Sequence, residues 1–266
     1  MDRDALTAAL AADPARAALV LDFDGVLARI GDDPAASALE PGTAAVLTEL
    51  AQHLGVVAVL SGRPLAFLRQ RVDVRGVALH GSYGVQWREG DEDRVLEEVG
   101  RWQPAVDTAA GALRAAFGDT DGVHVEDKGI AVAVHWRRAP EQEQAVAAVV
   151  AELVAGTGLR AEPGKLVVEL RPPLEQDKGT ALRRIAAGLG TVVYAGDDRG
   201  DLPALRVARE LGGHAVVVEH GRETDPELLE VAEVVLQGTD EVTLWLTGLR
   251  DALTAGTGAG EAMMQP

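Results

Sequence analysis

The sequence predicts an α/β fold: a mostly parallel sheet with helices between its strands, interrupted by a smaller inserted α+β domain. Three observations predict it. Short apolar runs recur at AALVL, VVAVL and TVVYAG, each ending abruptly in a polar loop, which is how buried strands read. Segments with helically spaced apolar residues separate strands near both ends of the chain, and strand–helix alternation implies parallel pairing. The middle of the chain instead reads helix–strand–strand, twice over.

The elements follow in order. The run from Ala17 to Leu21 stops at Asp22, with Gly25 close behind, as a buried strand feeding a loop would. PGTAAVLTELAQH, residues 41–53, places Val46, Leu47 and Leu50 on one helical side. Val56 to Leu60 repeats the strand pattern and stops at Ser61-Gly62-Arg63; a helix over 64–71 and a third strand near Val77 to Leu79 follow. In the insert, residues 104–117 predict a helix, and VHVEDKGIAVAVHWR predicts two strands around Asp127-Lys128-Gly129. Residues 141–155 predict a second helix, and LRAEPGKLVVELRP two more strands around Pro163-Gly164-Lys165. Pro172-Pro173 marks the exit. The α/β rhythm returns with the helix KGTALRRIAAGL, the strand ending at Gly196-Asp197-Asp198, and AVVVEH with Val234-Val235 closing the sheet. Residues 1–100 and 173–266 thus form the core, and 101–172 the insert. The Gly-rich tail TGAGEAMMQP is expected to be disordered.

Composition narrows the classes of function. With 266 residues, 47% hydrophobic and 3% aromatic, the core must be built from Ala, Val and Leu. The absence of cysteine excludes a disulfide framework and any thiolate zinc site, and suits a reducing cytoplasm. A formal charge of −17 argues against nucleic acid, whose phosphates are held by clustered Lys and Arg. No window approaches the roughly 20 apolar residues of a membrane span, and the N-terminus carries no apolar stretch of signal-peptide type. The only serines are Ser37, Ser61 and Ser82, none in a Gly-x-Ser-x-Gly elbow, so a serine hydrolase is set aside. A soluble cytoplasmic protein acting on a small molecule is the expectation.

Three strands end in polar clusters: Asp22-Phe23-Asp24, Ser61-Gly62-Arg63, and Asp197-Asp198 with Asp201. In an open parallel sheet, ligands bind beyond the carboxyl ends of the strands, so the three clusters can meet at one edge. Carboxylates gathered there repel unless a cation is present, and an oxygen-rich set suits a hard ion such as Mg²⁺. Each cluster alone is also an ordinary turn or helix entry; their shared position after core strands sets them apart. Lysine, moreover, occurs only at Lys128, Lys165 and Lys178. Lysine is a compact point charge with three rotatable donors, whereas arginine is a wide planar fork.

Asp22-Phe23-Asp24-Gly25-Val26, Ser61, Lys178 and Gly196-Asp197-Asp198 resemble, in order, the four motifs of the haloacid-dehalogenase-like phosphatases. The resemblance implies a Rossmannoid core with a cap and phosphoryl transfer to a carboxylate. Asp22 would be the nucleophile, and Asp24 would protonate the leaving alcohol and then activate water. Ser61 and Lys178 would contact phosphoryl oxygens. Mg²⁺ would be held by Asp22, the Asp24 carbonyl and Asp197. Asp198 and Asp201 either join the metal or hold its ligands; Asp198 is assigned to the metal and Asp201 to the residues around it.

The insert is more specific. GVALHGSYG, VEDKGIAVAVHWR and PGKLVVELRP followed by DKG are similar to segments of trehalose-6-phosphate phosphatases, over about Leu19 to Leu246. The resemblance implies hydrolysis of trehalose 6-phosphate, with Glu126, Lys128, His135, Lys165 and Glu169 of the cap, and Arg63 of the core, on the sugar phosphate. It also implies functional coupling to a trehalose-6-phosphate synthase. Two departures stand out: Gly200-Asp201-Leu202-Pro203 replaces the common acidic continuation of the last motif, and Ser82-Tyr83-Gly84 stands where many members place a Glu. The alternatives are a phosphatase for sucrose phosphate, mannosyl-phosphoglycerate or a hexose phosphate, and a non-catalytic sugar-phosphate sensor or synthase partner.

Overall fold

The computed structural model describes residues 1–31, 34–89, 91–164, 166–221 and 224–262. The chain divides into two compact units, Met1–Arg94 with Gln176–Pro266, and Val95–Glu175.

In the first unit, α1 (Arg3–Ala12) precedes β1 (Ala17–Leu21), α2 (Thr43–His53), β2 (Val56–Leu60), α3 (Leu65–Arg71) and β3 (Ala78–Gly81). A short antiparallel edge follows, β4 (Gln86–Glu89) and β5 (Glu92–Val95). After the second unit come α7 (Lys178–Ile185), β10 (Thr191–Gly196), α8 (Leu202–Glu210), β11 (His214–Glu219), α9 (Pro226–Val231), β12 (Val234–Gln237) and α10 (Gly238–Ala262). The eight strands run β12-β11-β10-β1-β2-β3-β4-β5, parallel from β12 to β3.

Alternation along each strand sends side chains to two buried layers. On one face Leu19, Leu21, Val59 and Val193 pack with Leu6, Leu50, Leu68 and Trp245 from helices. On the other Val20, Leu60, Tyr194 and Val217 pack with Leu182, Leu205 and Leu228. All five β1 residues are fully buried; at about 1.5–3 kcal/mol per large apolar side chain, the central strand anchors both layers. This is a doubly wound sheet, as the alternating pattern predicts.

Two segments depart from expectation. The antiparallel edge β4–β5 was not anticipated, because QWRE and EDRV are short and charged. The tail expected to be disordered is helical through Ala262, since α10 extends from Gly238 to that residue; adding residues to a helix already nucleated by packed turns costs little even for glycine. Residues 263–266 lie outside the described residues. Among those described, no helix is long and apolar enough to cross a membrane.

The second unit contains α4 (Glu97–Gly100), α5 (Gln103–Phe117), β6 (His124–Asp127), β7 (Val132–His135), α6 (Glu143–Thr157), β8 (Arg160–Gly164) and β9 (Val167–Arg171). Its antiparallel sheet runs β6-β7-β9-β8. Val132, Val134, Val168 and Leu170 pack with Val106, Leu113, Val146 and Val150 of the helices. Period-two alternation therefore leaves His124, Glu126, Ala133, His135 and Glu169 on the opposite, polar face.

Candidate active site

Register brings the predicted clusters together. Leu21 lies beside Val59 of β2 and Ala195 of β10, so Asp22, Ser61 and Asp197 leave the sheet at adjacent strand ends. The Asp22 amide donates to the Ala195 carbonyl at 2.9 Å, continuing the ladder by one residue. Lys178 arrives as the first residue of α7, whose start is fixed by a capping box: Asp177 accepts the Thr180 amide at 2.7 Å, and Thr180 Oγ1 accepts the Asp177 amide at 3.1 Å. A cleft of about 380 Å³ results, lined by Asp22, Asp24, Ser61, Lys178, Asp197 and Asp198 among others.

Lys178 sits at its floor, 3% exposed, with Nζ 2.8 Å from Asp22 Oδ2 and 2.7 Å from Asp201 Oδ1. Asp201 is fully buried and accepts four donors. Its Oδ1 takes Lys178 Nζ and the Tyr194 hydroxyl; its Oδ2 takes the amides of Asp197 at 2.9 Å and Asp198 at 3.1 Å. A carboxylate offers about four lone-pair sites, so its acceptor capacity is used. Two glycines make room. Gly25 has φ +72°, and a Cβ there would stand 2.0 Å from Asp197 Oδ2; a Cβ on Gly196 would stand 2.3 Å from Asp201 Cγ.

Carboxylate oxygens of Asp22, Asp197 and Asp201 lie within 4.8 Å of one another. Burial, then Asp201, pushes the Asp22 carboxyl well above its usual range against the pull of Lys178. Burial, with Asp201 and Asp198 nearby, pushes Asp197 up to about 8. A site that disfavours its own charges in this way favours a bound cation, and the donors are hard oxygens of the kind Mg²⁺ takes. The residues present fit such an ion. Asp198, expected as a ligand, stands outside the cluster: its Oδ1 accepts the Gly200 amide at 2.8 Å as the cap of a turn over Arg199–Asp201. The continuation Leu202-Pro203 opens α8 directly after this turn.

Asp24 is held differently. Arg63 grips it with two hydrogen bonds, Nε to Oδ2 at 2.7 Å and Nη2 to Oδ1 at 2.9 Å, while Ser37 Oγ donates to Oδ1 at 3.1 Å. The guanidinium also lies 4.7 Å from the Phe67 ring centroid. Arg63 is therefore in the cleft, as expected, but engaged with Asp24. Ser61 Oγ accepts the Arg63 amide at 3.1 Å.

In the second unit, His135 Nε2 and Glu126 Oε2 are 3.0 Å apart, and Lys128 pairs with Glu169. Glu126 and Glu169 flank Ala133 across the sheet. Four of the five expected sugar-contact residues thus share one region of the polar face; the fifth, Lys165, lies outside the described residues.

Sequence reasoning missed three participants. Tyr194 reads as one more apolar strand residue. Ser37 lies in a loop without a pattern. His220 ends AVVVEH with its Nε2 2.9 Å from the Gly25 carbonyl and 3.6 Å from Asp197 Oδ2. Only its place at a strand end, like Asp22 and Asp197, signalled it.

The family model described as trehalose-phosphatase matches residues 20–228. A trehalose-phosphate phosphatase of Mycolicibacterium paratuberculosis is 39% identical over 219 residues, covering 78% of this chain and 56% of that protein. The chain spans about half the length of the curated relatives it matches. In fold it is similar to a trehalose-6-phosphate phosphatase related protein, at TM-score 0.72 and 20% identity, covering 88% of this chain and 97% of that one. A haloacid dehalogenase-like hydrolase from Bacteroides thetaiotaomicron shares the fold at TM-score 0.56 and 18% identity, covering 90% and 99%.

Proposed function

The chain belongs to the trehalose-phosphatase family, and from that premise we propose that it hydrolyses trehalose 6-phosphate to trehalose and inorganic phosphate, with Asp22 as nucleophile and Mg²⁺ as cofactor. The observation that carries the reading is the buried Asp22–Lys178–Asp201 array at the strand ends, with Asp197 beside it.

Mg²⁺ would be held by Asp22, Asp197 and the Asp24 main-chain carbonyl; when bound, it screens charge between a carboxylate nucleophile and a phosphate dianion. An Asp22 oxygen attacks phosphorus while the bond to the sugar oxygen breaks, and Asp24 delivers a proton to that oxygen. Asp24 then takes a proton from water as the water attacks phosphorus. The bond between phosphorus and Asp22 breaks, and phosphate leaves with the carboxylate restored. Lys178 holds Asp22 in place and offers positive charge to the phosphoryl oxygens, and Ser61 contributes its hydroxyl. Asp201 has its acceptor capacity spent, so its role is to hold Lys178 and the Asp197 and Asp198 amides in position. To move protons, Asp24 must exchange Arg63 for the leaving oxygen, and this frees Arg63 for phosphoryl or sugar oxygens.

The polar face of the second unit, with Glu126, Lys128, His135 and Glu169, is assigned to the sugar, together with Lys165. A substrate of this kind implies a synthase that supplies it, and the cytoplasm as the place of reaction. Phosphate release should be measured with Mg²⁺ on trehalose 6-phosphate, sucrose phosphate, mannosyl-phosphoglycerate and glucose 6-phosphate at equal concentration. Trehalose 6-phosphate should stand well above the rest, and Asp22→Asn or excess chelator should abolish turnover. A flat profile across the panel would overturn the substrate assignment, and an active Asp22→Asn the mechanism.

A further inference from the structure

Ser82 and Tyr83 hold a backbone conformation that side-chain-bearing residues seldom adopt. Their φ angles are +51° and +58°, and Gly84 follows at +81°. Three residues in succession at positive φ, two of them not glycine, persist only where the surroundings over-determine them, and such strain collects at functional sites.

The surroundings here are the second motif itself. The Ser82 amide donates to the Arg63 carbonyl at 2.8 Å and the Tyr83 amide to the Ser61 carbonyl at 2.9 Å. The Tyr83 carbonyl accepts Gln176 Nε2 at 3.1 Å. Gln86 Oε1 accepts both the Ser82 hydroxyl and the Leu65 amide at 3.1 Å. The turn is thus fastened to the strand-end loop that carries Ser61 and Arg63.

The product of this strain is the placement of one aromatic ring. A Cβ on Gly62 would stand 3.0 Å from Tyr83 Cζ and Oη, and one on Gly200 would stand 3.8 Å from Cε1. The ring therefore lies close against two glycines, one in the Ser61 loop and one in the Asp198 loop. It lines the cleft that holds Asp22, Asp24 and Lys178, yet 37% of the residue stays exposed. The residue is thus packed on the loop side and partly open to solvent beside the cleft.

We propose that Tyr83 is a specificity-determining residue whose ring forms an aromatic wall for the sugar attached to the phosphoryl group, packing on the apolar face of that hexose. This rests on the cleft being the phosphatase site. The chemistry is that of a rigid ring with a polar tip meeting a flat molecule with an apolar face and polar rim. It supplies selectivity at the turn where many family members place an acidic residue.

The test compares Tyr83→Asn and Tyr83→Phe with wild type on trehalose 6-phosphate and on acetyl phosphate, a phosphoryl donor with no sugar. Asparagine tolerates the left-handed backbone and so removes the ring without changing the turn; thermal melts of the three proteins check that it folds. Tyr83→Asn should lower kcat/KM for trehalose 6-phosphate about tenfold, mainly through KM, and several-fold more than for acetyl phosphate. Tyr83→Phe should stay within about threefold of wild type on both. Equal losses on both substrates, no loss on either, or a phenylalanine variant as impaired as asparagine would each overturn the aromatic wall while leaving the phosphatase reading intact. Wild type inactive on both substrates would overturn the phosphatase reading, and this inference with it. An Asn variant that does not fold shifts the decision to Tyr83→Gly, which takes the positive φ without steric cost and for which the same selective loss is required.

Discussion

Replacing Lys178 by methionine removes the cation at the floor of the cleft while keeping most of its volume. The ammonium lies 2.8 Å from Asp22 and 2.7 Å from Asp201, in a residue only 3% exposed. Burial alone would favour the neutral amine, but Asp201 and Asp22 overcome it and hold the group charged, above the usual lysine range. Taking one partner from such a network removes the attraction and leaves desolvated carboxylates behind, which costs about 3–5 kcal/mol. At about 2–4 °C per kcal/mol for a chain of this size, the melting midpoint should fall by roughly 6–20 °C.

The sign of the pH dependence follows from Asp201. Burial pushes its carboxyl up, but Lys178, Tyr194 and the Asp198 amide prevail and hold it below the ordinary range. A carboxyl depressed on folding contributes stability above its unfolded pKa of about 3.9 and loses it as pH falls through the folded value. Methionine removes that contribution, so the gap between variant and wild type should be widest near neutrality and narrow below about pH 4. The assay is urea unfolding at pH 7 and about pH 3 in excess chelator, so that no divalent ion stands in for the ammonium. A variant within about 1 kcal/mol of wild type at pH 7, or a gap that widens on acidification, would refute the network's energetic role.

Gly25→Ala should lower turnover by about 10²-fold or more, because its Cβ would stand 2.0 Å from Asp197 Oδ2 at φ +72° and must displace that carboxylate; steady-state phosphate release checks this. His80 offers a separate acid switch. Burial, then Arg184, pulls it down to about 4, and its Nδ1 has no hydrogen-bond partner among the described residues. A histidine depressed on folding contributes its full stability above its unfolded pKa and loses it as pH falls from about 6.5 to the folded value, at about 1.4 kcal/mol per pH unit. His80→Gln should therefore lose less stability than wild type in urea melts between pH 7 and pH 4.5; parallel losses would remove His80 from that role.

Much of the site was legible because parallel sheets write their active edge into the sequence. Asp22, Ser61 and Asp197 each follow an apolar run, and Lys178 follows a cap residue. What could not be read depended on partners far along the chain. Tyr194 is one tyrosine in a buried strand until Asp201 turns back onto its hydroxyl. Ser37 and His220 gain meaning only from Asp24 and from Gly25 with Asp197. The pairing of Arg63 with Asp24 was hidden for the same reason: thirty-nine residues separate them. The polar alternation of β4 and β5 lacks the apolar period that marks a strand, since an edge hairpin buries little. Asp197 and Asp198 look alike in sequence, and only in space does cap geometry set Asp198 apart from the cluster of Asp22, Asp197 and Asp201.

The two cations of the cleft show why lysine is spelled where it is. Asp22 and Asp24 lie two residues apart on one loop but meet different chemistry. Asp22 is buried and faces an ammonium that also serves Asp201, an arrangement of two carboxylates around one small charge. A planar fork with five fixed donors would not fit between them without displacing one. Asp24 is part-exposed, and there the fork is an advantage, since Arg63 grips both oxygens and rests on Phe67 at once. On the proposed mechanism, a point charge would hold the nucleophile without covering it, whereas a bidentate clamp would occupy the proton carrier until something competes for it. Different environments for paired carboxylates are how one site separates nucleophile from acid–base. Lys178→Arg should therefore cripple turnover although it conserves charge, and near-wild-type phosphate release from that variant would show that charge alone, and not its shape, is what the cleft requires.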